Sequence, residues 1–346
     1  MNSGKIVPVI LCGGLGTRLW PRSRATKPKP FLPLVGGATL FEQALDRCSD
    51  DAFGPPLIVT GDRLLPHVEA QLGAKAGARI IVEPEGKNTA AAIALAAHCL
   101  RPDSVMLVCP SDHYIGQTDS FVGAAKRAAQ LANDGWLVSV GISAVRPETG
   151  FGYVKRGAEI GAGGFKVDEF VEKPNADRAR EFVDAGTYMW NGGIFALRAG
   201  QYLAELADYR PDLGASVQRA AGLGTWDGRY FYPEADAFAG IKSESIDYAV
   251  MENTPNAAVV PGEFEWSDIG NWPAVRDARD RDDNGNSAIG DAELINCQNV
   301  LVDTDGPRVH VLGLENVIIV VDGDDILVTC GRSAQDVPKL KAPQAQ

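Results

Sequence analysis

Apolar runs of strand length alternate with helical patterns through the first two-thirds of the chain. Residues 7–11, 57–60, 79–82, 105–109 and 137–141 are short, β-branched and leucine-rich stretches bounded by Gly, Pro or polar clusters, which predicts strands. Thr39-Leu40-Phe41-Glu42 carries the Thr-x-x-Glu spacing of a capping box and predicts a helix running to about Cys48. Asn88-Thr89 is placed to cap an alanine-rich helix reaching about Leu100. This alternation predicts an α/β class: a mostly parallel sheet flanked by helices, with ligands at the carboxyl ends of the strands. From Asn284 onward helical periodicity stops, and short β-rich runs at 299–303, 309–312, 317–321 and 325–329 follow one another with Gly, Asp and Asn between them. The expected division is an α/β domain over 1–283 and a small C-terminal β domain over 284–346, a few turns of a β-helix or a compact sheet, with edges suited to self-association. Residues 338–346 read as a frayed tail.

Composition narrows the class. The chain has 346 residues, 45% apolar and 23% charged, with no biased segment of the kind that stays disordered. Its net charge of -12 and the lack of an extended basic stripe argue against nucleic acid as a partner. No apolar stretch is long enough to span a bilayer, and the N-terminal apolar run is too short for a signal-peptide core. The six cysteines show no C-x-x-C spacing and read as buried thiols, so the expected compartment is the cytoplasm.

Against this acidic background one segment stands out. The strand at 7–11 feeds Cys12-Gly13-Gly14-Leu15-Gly16-Thr17-Arg18, and Arg18, Arg22, Arg24, Lys27 and Lys29 follow in a short window. Glycines let backbone N–H groups approach an anion, and clustered cations neutralise a polyphosphate. The same residues also suit a tight strand-to-helix turn with a solvated basic edge. Neither a P-loop nor a dinucleotide fingerprint fits, since no Lys-Ser or Lys-Thr follows and Leu19 stands where a last glycine is needed. Asp112, in Pro110-Ser111-Asp112-His113 after the 105–109 strand, is placed to hold Mg²⁺ or to close an Asx turn. Asp268, flanked by Trp266 and Trp272, is a second carboxylate candidate or part of an aromatic-packed turn. Gly152 beside Phe151, Glu172-Lys173 and Asn191-Gly192-Gly193 suit a polyol, or else a surface ion pair and a hairpin turn. His113 is a candidate for outer support of a metal ligand or for closing the loop.

Taken in order, the glycine loop with Lys27-Pro28-Lys29-Pro30-Phe31, Glu83-Pro84 through Lys87-Asn88-Thr89-Ala90, Pro110-Ser111-Asp112-His113, Gly150-Phe151-Gly152-Tyr153, Phe170 to Pro174, Asn191 to Phe195 and Trp266-Ser267-Asp268 resemble the sugar-1-phosphate nucleotidylyltransferases, most closely their GDP-mannose-forming members. The likeness runs from about residue 6 to 272, and more weakly to about 329. It implies that residues 1–283 form a Rossmann-like catalytic domain and that the C-terminal segment is a short left-handed β-helix. It also implies that Leu11, Gly13, Gly14, Gly16, Thr17, Arg18 and Lys29 hold a nucleoside triphosphate, with Glu83, Asn88 and Thr89 near the base. Gly152, Glu172, Lys173 and Asn191 would then contact the sugar, and Asp112 and Asp268 would bind Mg²⁺. Arg18, Lys29 and Asp112 would carry catalysis: transfer of GMP from GTP to mannose 1-phosphate with loss of pyrophosphate. Lys87 and Ala91 depart from the arginine and proline common in the family, which bears on base choice; the alternative is the same reaction in a GDP-heptose-forming or dTDP-glucose-forming relative, ahead of a non-catalytic nucleotide-sugar-binding subunit. No isomerase-like domain follows in this sequence, so one activity is expected, and the β-rich tail makes a homodimer the expected assembly.

Overall fold

The computed structural model describes residues 4–14, 16–73 and 77–340; Leu15 of the glycine loop and residues 341–346 of the expected frayed tail lie outside the described residues. The chain packs as two compact units that do not follow a single cut in the sequence. One comprises Met1–Gly13, Ala44–Ser111 and Ile115–Trp266, the other Gly14–Gln43, Asp112–Tyr114 and Ser267–Gln346. The packing thus crosses the division drawn at residue 284 from composition, because the segment after the first strand is assembled with the C-terminal one.

In the first unit the five strands read from the sequence are present as Val7–Cys12, Leu57–Gly61, Arg79–Glu83, Val105–Pro110 and Leu137–Ser143. The first four lie side by side in parallel in the order 79–83, 57–61, 7–12, 105–110. Their interiors are buried, as expected for strands covered on both faces. The helix Asn88–His98 is buried from Ala90 to Ala97, its small side chains fitting a helix enclosed within the core. The expectation of a mostly parallel sheet needs correction. Tyr188–Arg198 inserts antiparallel between 105–110 and 137–143, and Tyr153–Gly161 and Gly164–Val171 add an antiparallel hairpin, so the 11-stranded sheet is mixed. Among the described residues no helix is long and apolar enough to cross a membrane.

The second unit is built around Trp272, fully buried among Leu19, Leu34, Leu40, Ile269, Leu301, Ile318, Val320, Leu327 and Val337. Its indole N–H donates to the Trp20 carbonyl at 2.9 Å. The capping box is realised: Thr39 N donates to Glu42 Oε2 at 2.8 Å and Glu42 N to Thr39 Oγ1 at 3.2 Å. The C-terminal part alternates between two parallel ladders, Ser287–Ile289 with Leu301–Thr304 and Val317–Asp322, and Ala292–Ile295 with Val309–Leu312. Asp325–Cys330 closes the first ladder antiparallel. Asn296, Asn299 and Asn316 turn the corners at φ of 53°, 53° and 56°, a region asparagine tolerates better than other side chains. The strands at 287–289 and 292–295 escape sequence reading, because Ser-Ala-Ile and Ala-Glu-Leu-Ile are mostly half-buried or exposed and carry no β-branched apolar run like that of 301–304 or 317–322.

Candidate active site

The glycine loop leaves the strand Val7–Cys12 with Gly13 and Gly14 exposed, and a Cβ at either would meet nothing within 4 Å. Gly16 is different. It sits at φ 65°, and a Cβ there would overlap the Cβ of Lys29. Glycine is therefore required both by the backbone and by the approach of that lysine.

Lys29 is buried at 5% exposure, and its ammonium uses two of its three donors within the second unit, on Asp112 Oδ2 at 2.8 Å and on the Asp268 carbonyl. Asp112 keeps 28% of its side chain open. Its surroundings desolvate it, which alone would raise its pKa, but Lys29 and then His113 outweigh that and hold the carboxyl below its ordinary range. His113 Nε2 lies 4.0 Å from Asp112 Oδ1. The Asp268 carboxylate accepts from Gly270 N at 3.1 Å. Gly16, Thr17, Arg18, Lys29, Asp112, His113 and Asp268 line one recess of about 260 Å³. Arg18 is exposed there, with no hydrogen-bond or ion-pair partner among the described residues.

The other cations of the basic window are paired with carboxylates. Arg22 is bound to Asp303, Asp305 and Asp322, Arg24 to Asp322 and Asp325, and Lys27 to Asp322. The local excess of positive charge seen in the sequence is cancelled by carboxylates roughly 300 residues away, which composition over a short window cannot reveal.

Within the first unit the remaining candidates form a second cluster. Asn191 N donates to the Gly152 carbonyl at 2.8 Å, and a Cβ on Gly152 would overlap Glu172 Oε2. Glu172 is paired with Lys173 at 2.8 Å, so the surface-pair reading of these two holds for the exposed lysine, while Glu172 itself is only 10% exposed. Asn191-Gly192-Gly193 is not a hairpin turn but the interior of the strand Tyr188–Arg198. Asn191 Nδ2 donates to Asp247 Oδ1 at 2.8 Å. Sequence reasoning missed Asp247, which opens a π-helical turn, Asp247–Met251, and is pushed up to about 6 by burial and by Glu172. Nothing in Ser245-Ile246-Asp247-Tyr248 marks it beyond a polar residue before an apolar run.

The 245–247 segment also ties this cluster to the expected base-contacting stretch. Ile246 N donates to Thr89 Oγ1 at 2.9 Å. Asn88 does not cap its helix in the manner predicted: it takes φ 67° and its Oδ1 accepts from the next residue, Thr89 N, at 2.8 Å. Lys87 is held by Glu85 at 2.9 Å and by the Ala239 carbonyl at 2.8 Å. Glu83, at the end of its strand, has a buried Oε1 without a hydrogen-bond partner among the described residues, and burial pushes its carboxyl up to about 8. Leu11 contributes its carbonyl to Ser111 N at 3.0 Å.

The family model for nucleotidyl transferases matches residues 7–285, the span that carries both the recess and the second cluster. The chain belongs to the nucleotidyl transferase family. Among proteins to which this family member is similar, a Salmonella muenchen mannose-1-phosphate guanylyltransferase is 40% identical over 97% of this chain and 72% of its own length. The xanthan biosynthesis protein XanB of Xanthomonas campestris pv. campestris (strain B100) is 41% identical over the same shares. The crystal structure of a Thermus thermophilus protein named a mannose-1-phosphate geranyltransferase superposes with a TM-score of 0.87 at 30% identity, covering 97% of this chain and 98% of that one. As a nucleotidyl transferase, the chain needs a nucleotide-phosphate site. Among the described residues no group of three or more His, Cys, Asp and Glu side chains is arranged to hold a metal, so any ion there must draw part of its shell from elsewhere.

Proposed function

We propose that this nucleotidyl transferase moves GMP from GTP to mannose 1-phosphate, releasing pyrophosphate. The reading is supported by relatives of about 40% identity named mannose-1-phosphate guanylyltransferase, and the observation that carries it is the recess in which Lys29, Arg18, Asp112 and Asp268 converge beside the glycine loop. A sugar 1-phosphate is already mostly dianionic near neutral pH, its second pKa being about 6, so the acceptor needs no general base. The obstacle is repulsion between two anions. In this reading the backbone N–H groups at Gly13, Gly14 and Gly16 and the exposed Arg18 guanidinium hold the triphosphate, while Lys29 neutralises charge at the α-phosphate. Gly152, Glu172, Lys173 and Asn191 hold the sugar, with Asp247 fixing the Asn191 amide.

Asp112 and Asp268 fit Mg²⁺: both are hard oxygen donors, Asp112 is held ionised, and this ion commonly uses one or two protein carboxylates with substrate phosphates completing its shell. When bound, the ion would supply further charge neutralisation at the phosphates.

The base choice rests on Glu83, Asn88 and Thr89. The C-terminal ladders are read as a left-handed β-helical coil, and its edge strand Asp325–Cys330, with Ile326 and Val328 exposed, supports a homodimer. Six free cysteines support a reducing, cytoplasmic setting. Pyrophosphate release with Mg²⁺ and mannose 1-phosphate against GTP, ATP, UTP, CTP and dTTP, repeated with glucose 1-phosphate, tests the assignment. Release confined to GTP with the mannose sugar is expected; turnover of another pair would replace the substrates and keep the chemistry.

A further inference from the structure

The basic residues that the phosphate loop does not spend on its recess meet a matched row of carboxylates. Four cations, Arg22, Arg24, Lys27 and Arg279, face four acids, Asp303, Asp305, Asp322 and Asp325. Three of the acids sit at the ends of coil strands: Asp303 near the end of Leu301–Thr304, and Asp322 and Asp325 on either side of the turn joining Val317–Asp322 to Asp325–Cys330. The side chains of Asp303, Asp322 and Arg279 are 4–5% exposed, so these charges lie out of water where ionic geometry is held tightly. Arg22 Nε reaches Asp303 Oδ1 at 2.7 Å, and its Nη1 reaches Asp322 at 3.1 Å and Asp305 at 3.2 Å. Arg279 shares Asp303 and donates to the Leu34 carbonyl at 2.7 Å.

Between this anchor and the recess the chain is short and internally braced. Ser23 N donates to the Leu19 carbonyl at 3.0 Å, and the Ser23 hydroxyl donates to the carbonyl of Gly16. Arg24 and Lys27 exchange backbone hydrogen bonds at 3.0 Å each. Gly16 in turn bears on the stem of Lys29. Arg22 is thus connected through Ser23 to Gly16, and through Gly16 to Lys29 and the Thr17–Leu19 turn that carries Arg18.

We infer that Asp303 and Asp322 of the C-terminal coil, acting through Arg22, are positioning residues for nucleotide transfer, and that the coil is thereby a working part of the phosphate site. Arg22 and its carboxylates touch no substrate in this scheme; they fix where Gly16, Arg18 and Lys29 stand. The inference rests on the proposed function for its substrate and on the ion-pair geometry for its mechanism.

The experiment compares the full-length wild type with Arg22→Met, Arg22→Lys, Asp322→Asn and the Arg22→Met/Asp322→Asn double variant. The readouts are KM for GTP, KM for mannose 1-phosphate, kcat, and calorimetric affinity for inorganic triphosphate, with circular dichroism and thermal melts reporting the fold. Misplaced positioning groups cost up to about a hundredfold in rate, so we expect KM for GTP to rise and kcat to fall by about tenfold or more in Arg22→Met, with KM for the sugar phosphate unchanged. Arg22→Lys, which keeps the charge and loses the fork, should recover part of the loss. The double variant should be no worse than the poorer single, as residues acting as one unit are not additive. Should Arg22→Met not fold, Asp305→Asn, at the most exposed of the three carboxylates on Arg22, carries the same reading at smaller amplitude. Wild-type KM and kcat in folded variants, or equal rises in both KM values, would overturn the inference while the proposed function stands. A wild type that neither binds triphosphate nor releases pyrophosphate would overturn both.

Discussion

Lys29 Nζ stands 2.8 Å from the Asp112 carboxylate, bringing together a cation from a 3₁₀ turn near the start of the chain and an acid that follows a central strand. Lys29→Ala and Asp112→Asn each remove one side of that pair. Loss of a charge-stabilising group at a transferring phosphate costs about 10²–10³ in kcat, and that fall is expected from either variant in a pyrophosphate-release assay, with the circular dichroism spectrum retained. Because the pair holds the Asp112 pKa below its ordinary value, the stability it contributes is present above the ordinary carboxylate range and is lost as pH falls through the lowered value. Acid melts of the wild type and Asp112→Asn should therefore converge at low pH.

Gly16 and Gly14 make a matched comparison. Gly16→Ala faces a left-handed φ of 65° and overlap with Lys29 Cβ, so a loss of about 1–3 kcal/mol in unfolding free energy is expected along with displacement of the lysine. Gly14→Ala meets open space and should leave the chemical melt within about 0.5 kcal/mol of wild type. Equal destabilisation by both would remove the argument that Lys29 packing fixes Gly16.

Asp247 should report on pH. Its carboxyl is raised from 3.8 to about 6, chiefly by burial and then by Glu172. The unfolded chain ionises first, so stability declines as pH rises from the ordinary value to about 6 and the penalty stays constant above it. Asp247→Asn removes the penalty, and denaturant melts should show it gaining on wild type across that window, by an upper bound of about 3 kcal/mol at about 1.36 kcal/mol per pKa unit. The same variant should alter KM for the sugar phosphate more than KM for the nucleotide, since it is Asn191 that loses a charged acceptor.

Glu83 is raised from 4.5 to about 8 by burial, so at neutral pH it is mostly protonated and offers one donor and one acceptor. Glu83→Gln keeps that pattern in shape but swaps O–H for NH₂. Wild-type stability should fall as pH rises from about 4.5 to 8, and the glutamine variant should lose that share of the slope, keeping only the decline to about 6 that Asp247 contributes. The ratio of kcat/KM for GTP over ATP should shift by about tenfold if this side chain reads the base, a buried hydrogen bond being worth about 1–1.5 kcal/mol.

Much of this is legible in the sequence, for physical reasons that differ from element to element. The central strands are apolar on both faces, so their position can be read to within about two residues. The capping box at Thr39 and Glu42 is a purely local hydrogen-bond exchange and appears as written. The antiparallel insertion of Tyr188–Arg198 is not legible, because pairing partners are set by topology and leave no mark in the strand itself. At the site, motifs lead to Lys29, Asp112 and Asp268, whereas Asp247 escapes because its partner Asn191 is 56 residues distant. Arg22, Arg24 and Lys27 look like ligand-binding cations because the acids that claim them lie far along the chain.

Arg22 is separated from Asp303 and Asp322 by 281 and 300 residues, and Leu19 packs with Ile318 and Val320. A ribosome making this chain would release the glycine loop early and the strands that secure it 281 to 300 residues later. The emerging loop has neither its apolar neighbours nor its counter-ions until then, and contacts of such long sequence separation are among the slowest to form. Synthesis thereby orders assembly in time: a chain that has not yet reached those strands can hold its central sheet and still lack the ion pairs and apolar contacts that brace the glycine loop.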